Sequence, residues 1–214
     1  MALPRTIEHT ALKATTTPAD VERLVDEALT HGFVGVCVSP LHVARAAARL
    51  AGRAVVVTVA AFPLGASHPE VSAAEARRAV DDGAGEVDLV VPIGRALAGD
   101  VDGVERTVAT VRRAIGAARL KVILETAYFD VDAIRALAAR AVAGGADFLK
   151  TSTGFGPRGA TVEDVRLLAQ EAPEGVGVKA AGGIRDRATA LTMLEAGATR
   201  IGTSSGVAIM APSS

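Results

Sequence analysis

Short runs of Val, Ile, Leu and Ala alternate along this chain with longer Ala-, Leu-, Val- and Arg-rich segments in which apolar residues recur every three or four positions. The first kind of run reads as buried strand and the second as amphipathic helix. Candidate strands cover 5–10, 33–39, 54–61, 86–91, 121–126, 147–152, 176–181 and 200–204. The segments between them carry helix starts at Thr17-Pro18, Ser39-Pro40, Ser72 with Glu75, and Asp130, where a side-chain oxygen or a first-turn proline suits the open N–H groups. Gly32, Gly52, Gly83, Gly145 and Gly197 follow helical stretches, where a left-handed residue ends a helix. A weak internal repeat, seen at 83–88, 145–150 and 197–202, leads each time from a helix end through Gly-Ala or Ala-Gly into a strand. Continuously apolar strands, each followed by a helix, predict an α/β fold with a parallel sheet covered by helices, best closed as a (β/α)8 TIM barrel. An open doubly wound sheet would share the rhythm, but the glycine fingerprint expected after its first strand is missing.

The 214 residues suit one barrel, so a single domain spanning 1–214 is expected. Half of the residues are hydrophobic, and the net charge of −1 with few aromatics provides neither a positive field nor a stacking surface for nucleic acid. No apolar run reaches membrane-spanning length, and residues 1–8 lack the apolar stretch of a secretory signal. Cys37 is the lone cysteine, which excludes an internal disulfide and a cysteine metal cluster and points to a reducing, cytoplasmic setting. His9, His31, His42 and His68 are scattered without metal-ligand spacing, so no metal is expected. His9 reads as a surface or otherwise satisfied histidine.

Lysine usage changes the picture most. The chain has four lysines against nineteen arginines, and two of them, Lys150 and Lys179, interrupt apolar strand runs. A buried amine loses hydration and tends to lose its proton, and the free amine is a nucleophile towards aldehydes and ketones. In a parallel barrel, polar residues at strand outlets carry the chemistry. Thr10, Cys37, Asp88, Glu125, Lys150, Lys179 and Ser204 fall at or near the ends of seven candidate strands. Lys121 opens its strand at the opposite face and Lys13 lies beyond the first strand, so neither is the expected nucleophile.

Lys150 and Lys179 both precede a glycine turn on consecutive strands, which lie about 5 Å apart, so their heads can approach within roughly 6 Å. At an effective dielectric of about 20 their repulsion is on the order of 3 kcal/mol, enough to leave one of them neutral near pH 7. Lys150 is expected to carry an imine while Lys179 stays protonated beside it. Each lysine alone could equally be a snorkelling cation or the partner of a carboxylate. Asp88, inside an apolar strand, needs such a partner and could pass protons with Lys179, or simply form a structural ion pair. Glu125 is either an orienting carboxylate or a catalyst. Cys37 reads as a small wall residue.

Glycine turns at Gly154-Phe155-Gly156, Gly182-Gly183 and Gly202-Thr203-Ser204-Ser205-Gly206 follow the last three candidate strands. Barrels commonly bind phosphate there through backbone N–H groups, with Ser204 and Ser205 as further donors and Arg185 as a possible helper.

Eight segments in this order resemble the deoxyribose-phosphate aldolase family: 7–13, 36–38, 62–65, 86–88, 121–126, the two lysine segments, and 201–207. The resemblance implies a class I aldolase that cleaves 2-deoxy-D-ribose 5-phosphate to acetaldehyde and D-glyceraldehyde 3-phosphate. It implies Lys150 as the Schiff-base residue, with Lys179 and Asp88 as proton-transfer partners. It also implies that Glu8, Thr10, Cys37 and Thr153 line or support the substrate site, and that Gly154, Gly182, Gly183, Gly202, Ser204 and Ser205 hold the phosphate. The resemblance implies no cofactor, since the imine is itself the electron sink, and it is the sole ground for expecting a homo-oligomer. Phe155 stands where some members of the family have lysine, Pro92 where others have asparagine, and residues 210–214 include no site-closing tyrosine. A phosphosugar isomerase or epimerase using Glu125 and Asp88, or a sugar-phosphate binding protein, would fit the same fold.

Overall fold

The computed structural model describes residues 2–211; of the tail considered above, 212–214 lie outside the described residues. Eight parallel strands close in sequence order into a barrel: β1 (Ile7–Ala11), β2 (Gly35–Val38), β3 (Val55–Ala60), β4 (Glu86–Val90), β5 (Arg119–Ile123), β6 (Phe148–Lys150), β7 (Gly177–Ala181) and β8 (Arg200–Thr203), with β8 pairing back to β1. The expected (β/α)8 architecture is therefore observed. Helices α1 (Pro18–His31), α2 (Val43–Leu50), α3 (Pro69–Asp81), α4 (Ile93–Leu97), α5 (Val101–Ile115), α6 (Val131–Ala143), α7 (Val162–Glu171), α8 (Arg187–Glu195) and α9 (Gly206–Met210) fill the connections.

Strand alternation divides the side chains into two sets. Val36, Val87, Leu89, Leu120, Val122, Leu149, Val178 and Ile201 face outward and pack under the helices against Val25, Leu50, Val108, Leu137 and Leu168, all fully or nearly fully buried. Each such leucine or valine contributes about 1.5–3 kcal/mol through burial. The inward apolar set is small, with Cys37, Val57 and Val59 at its centre. Charged side chains occupy much of the remaining interior.

Local chemistry sets the boundaries. At the start of α1, Thr17 accepts from Asp20 N–H at 3.2 Å while the Asp20 carboxylate accepts from Thr17 N–H at 2.9 Å, a reciprocal cap. Asp130 caps α6 through Ala133 N–H at 2.9 Å. The predicted start at Ser72 and Glu75 is corrected: Pro69, with its fixed φ and no N–H to lose, begins α3, and Ser72 already sits in its first turn. Glu75 instead accepts the Ala61 N–H at 2.8 Å and ties α3 to the outlet of β3. Ser39 makes no side-chain cap, and Pro40 opens a single tight turn, Pro40–His42, ahead of α2.

Two strand boundaries matter for the site. β5 begins at Arg119 rather than 121, which moves Lys121 to mid-strand, and β6 stops at Lys150 rather than 152. Parallel registry then pairs Lys121 with Asp88 across β4 and β5, and Lys150 with Lys179 across β6 and β7.

Candidate active site

Asp88 lies on the inward face of β4 with no exposed surface. A lone carboxylate there would be forced neutral, and three lysines prevent this. Asp88 Oδ2 accepts from Lys150 Nζ and from Lys179 Nζ, each at 2.7 Å, and Oδ1 accepts from Lys121 Nζ at 3.0 Å. The expected approach of Lys150 and Lys179 is met, since nitrogens bonded to one oxygen cannot be further apart than twice that bond. Lys179 also pairs with Glu8. Gly202 leaves room for this arrangement, because a Cβ there would come within 2.9 Å of Lys179 Cε.

Lys121 is a correction. Its expected place outside the site gives way to the barrel interior, where it is fully buried and its ammonium lies 2.5 Å from Glu86 and 3.5 Å from Glu8. The apolar run Leu120-Lys121-Val122-Ile123 carried the same signal that singled out the other two lysines, and a misplaced strand start hid it.

The environments of these lysines push their protons in different directions. Burial lowers the proton affinity of Lys150 below the ordinary lysine value, the Lys179 charge adds to that effect, and Asp88 only partly opposes it. Burial acts on Lys179 in the same sense, but Asp88 and Glu8 more than reverse it and hold Lys179 charged. Lys121 is likewise raised, with Asp88 and Glu8 overcoming burial. Burial alone would raise Asp88, yet Lys121, Lys150 and Lys179 together hold it well below the usual carboxylate range. Glu8 is lowered for the same reason, chiefly by Lys121 and Lys179 acting against burial.

A cavity of about 790 Å³ opens above this cluster at the carboxyl ends of the strands. Of the three buried lysines only Lys150 lines it, alongside Thr10 and Thr153. Gly154, Gly182, Gly183, Gly202 and Ser204 form part of its wall, and Lys13 and Arg185 stand exposed at the rim. Asp88, Lys179, Glu8 and Cys37 lie beneath or behind that surface. Glu8 thus supports Lys179 rather than lining the cavity, because its side chain points into the barrel axis below Thr10. The Cys37 thiol is a buried wall group, pushed up to about 11 by burial. Ser205 is also displaced from the expected lining: its N–H donates to Thr203 Oγ1 at 2.9 Å at the start of α9.

The loop after β6 is shaped by Glu125, which sits in left-handed backbone at φ 53° just beyond β5. Its Oε2 accepts from Thr153 N–H at 3.1 Å and from Thr153 Oγ1 at 2.5 Å, and Thr153 Oγ1 in turn accepts from Phe155 N–H at 3.0 Å. Of the two readings offered for Glu125, orientation of this loop fits its bonding. Phe155 is half exposed and meets Phe62 edge-on, with centroids 5.3 Å apart. Gly154, Gly182 and Gly183 have φ between 79° and 88°, leaving the backbone accessible where side chains would otherwise crowd it. The loops after β6 and β7 touch through backbone, since a Cβ on Gly159 would lie 2.1 Å from the Gly182 carbonyl oxygen.

Of the two readings offered for His9, the surface one fails and the satisfied one fits. It is 3 % exposed, with Nε2 2.7 Å from Glu27 on α1. Among the described residues no group of three or more His, Cys, Asp or Glu side chains converges as a metal site.

An amine biased towards its neutral form, backed by a charged lysine and a shared carboxylate, can attack a carbonyl carbon and exchange protons with the product. The comparisons with known proteins agree with this chemistry. The chain is 56% identical over 212 residues to the deoxyribose-phosphate aldolase of Thermus thermophilus, covering 99% of this chain and 96% of that one. Among solved structures it superposes on an aldolase designated QR15 with a TM-score of 0.93 at 41% identity, covering 97% and 93% of the two chains. It superposes on the tetrameric deoxyribose phosphate aldolase of Aeropyrum pernix with a TM-score of 0.91 at 34% identity, covering 97% and 88%. Residues 2–211 match the family described as DeoC/LacD family aldolase, and the chain belongs to that family.

Proposed function

We propose that this aldolase reversibly cleaves 2-deoxy-D-ribose 5-phosphate to acetaldehyde and D-glyceraldehyde 3-phosphate through a Schiff base on Lys150. One observation carries the reading: three buried lysines converge on Asp88, and only the one with weakened proton affinity faces the cavity. In the cleavage direction the neutral Lys150 amine adds to C1 of the open-chain sugar, and the carbinolamine loses water to give an iminium ion. Removal of the proton from the C3 hydroxyl breaks the C2–C3 bond, and its electron pair moves to the iminium nitrogen. Glyceraldehyde 3-phosphate leaves, the enamine is protonated at its terminal carbon, and hydrolysis returns acetaldehyde and the free amine. Lys179 and Asp88 exchange the protons through water, Lys179 being the permanent acid and Asp88 the relay to which both lysines bond.

The backbone at Gly154, Gly182, Gly183 and Gly202, with Ser204, receives the phosphate, and the exposed Arg185 supplies positive charge at the rim. A non-covalent isomerase is disfavoured because Glu125 is bound to Thr153 and the cavity-facing Lys150, with its weakened proton affinity, would have nothing to do. A cytoplasmic location fits the lone buried cysteine, and no helix among the described residues is long and apolar enough to cross a membrane. Homo-oligomerisation is proposed from the likeness to the tetrameric Aeropyrum pernix protein.

The test is to add acetaldehyde and borohydride and map the two-carbon adduct by peptide mass spectrometry. Reduction on Lys150 is expected. An active preparation that carries the adduct elsewhere, or none, sinks the assignment.

A further inference from the structure

Two fully or nearly fully buried charges in the barrel, Lys121 and Glu86, have no part in the reaction steps above. They belong to a set that closes on itself. Its carboxylates are Glu8, Glu86 and Asp88, and its cations are Lys121, Lys179 and Arg200. Lys121 touches all three carboxylates, at 2.5 Å from Glu86, 3.0 Å from Asp88 and 3.5 Å from Glu8. Lys179 bridges Asp88 and Glu8, and Arg200 bridges Glu8 at 3.4 Å and Glu86 at 3.5 Å. The Phe148 ring lies beside it, with its centroid 5.9 Å from Lys121 Nζ and 5.6 Å from the Arg200 guanidinium.

Three negative and three positive groups therefore balance below the cavity floor. Arg119 also approaches Glu86, at 3.8 Å, but with 56% of its side chain exposed its charge is screened by water. Lys150 is a further buried amine beside this set and bonds to Asp88 alone. The charged or titratable groups that face it are Asp88 from β4, Lys179 from β7 and the Cys37 thiol from β2. A proton on Lys150 would leave the interior with one unbalanced positive charge, which burial opposes.

We infer that Lys121 and Glu86 are positioning residues for the reaction: they complete a neutral buried set of three carboxylates and three cations, which leaves no counter-charge for a proton on Lys150. The inference rests on the Schiff-base reading and extends it to residues one layer below the amine. It accounts for the opposite directions of Lys150 and Lys121, which both lie in the same low-dielectric interior. Lys121 has three carboxylates around it, whereas Lys150 shares its single carboxylate with two other cations.

The experiment measures acetaldehyde trapping on Lys150 by borohydride as a function of pH, with mass spectrometric quantitation, in the full chain and three variants. In Lys121→Met the pH midpoint of trapping rises by roughly one unit, because a buried positive charge has gone. In Glu86→Gln it falls by a similar amount, because a negative charge has gone. The double variant, balanced again, returns to the parent midpoint. A merely structural role would lower the yield at every pH and leave the midpoint in place, and that result in both single variants of native circular dichroism overturns the inference. If Lys121→Met does not fold, the nearly isosteric Glu86→Gln decides by the sign of its shift. Absence of any Lys150 adduct in the parent chain would instead overturn the Schiff-base reading, so the two failures are distinguishable.

Discussion

Lys150 and Lys179 are register partners on adjacent parallel strands, and both donate to the same oxygen, Asp88 Oδ2, at 2.7 Å. Their symmetry ends there. Lys179 has Glu8 as a second carboxylate and is closed off from the cavity, whereas Lys150 has neither property. One lysine is thereby kept charged and the other is biased towards the neutral form.

Replacing Lys179 with Met tests that division. The variant loses the proton-exchanging cation, so kcat falls by roughly 10²–10⁴ for deoxyribose phosphate cleavage. It also loses the positive neighbour that helps strip the Lys150 proton, so the acid limb of the kcat/KM profile moves to higher pH. A full pH profile checks both effects, and an unchanged acid limb would contradict the proposed coupling.

The glycine contact between the loops after β6 and β7 makes a separate prediction about phosphate. In Gly159→Ala the new methyl meets the Gly182 carbonyl, a backbone atom that cannot rotate away, so the loop carrying Gly182 and Gly183 must shift. KM for 2-deoxyribose 5-phosphate rises about tenfold or more, equivalent to about 1.4 kcal/mol of lost binding, while acetaldehyde trapping at Lys150 stays near parent levels. Steady-state kinetics on the phosphorylated and unphosphorylated sugars separate the two effects; an equal loss on both would place the phosphate elsewhere.

Acid stability follows from the lowered carboxylates. Burial works against the ionised forms of Asp88 and Glu8, but the surrounding lysines depress both below their unfolded values. The unfolded chain therefore takes up protons first as the pH falls. The stabilisation is fully present above about pH 5 and is lost progressively as the pH drops through about 4 towards the lower folded values. Denaturant unfolding between pH 7 and 3 should show this decline. Asp88→Asn, which leaves three lysines facing a neutral amide, costs about 3–5 kcal/mol at neutral pH and reduces the acid dependence.

Cys37 offers a simple check on burial. Its thiol is raised to about 11 because it is desolvated, which outweighs the help of Lys179. At pH 8 the native protein is expected to react with iodoacetamide far more slowly than the denatured chain, as read by intact mass. Rapid native alkylation would show that the wall around Cys37 opens.

The rhythm of short runs was enough to find all eight strands, because the outward faces packed under the helices are apolar even where the inward faces carry Glu8, Asp88, Lys121, Lys150 and Lys179. Boundaries were less legible. Residue 119 belongs to β5 although Arg119 is exposed and polar, so the apolar run begins after the hydrogen-bonded strand does. Ser72 looked like a helix cap because its local chemistry is right, but the backbone had already entered a helix at Pro69. His9 looked isolated because Glu27 is a helix away in sequence and comes beside it only when α1 packs on β1.

By itself the sequence determined that lysines would stand among buried residues on consecutive strands, since apolar runs must be buried and their period places strands and outlets. It also determined where glycine would leave backbone N–H groups accessible. Only the closed barrel decided which charges share an atom. Registry across β4–β7 and closure of β8 onto β1 gather Glu8, Glu86, Asp88, Lys121, Lys179 and Arg200 around one axis. Electrostatic interaction depends on separation in space and on exclusion of water, and neither quantity is written in the order of residues along a chain.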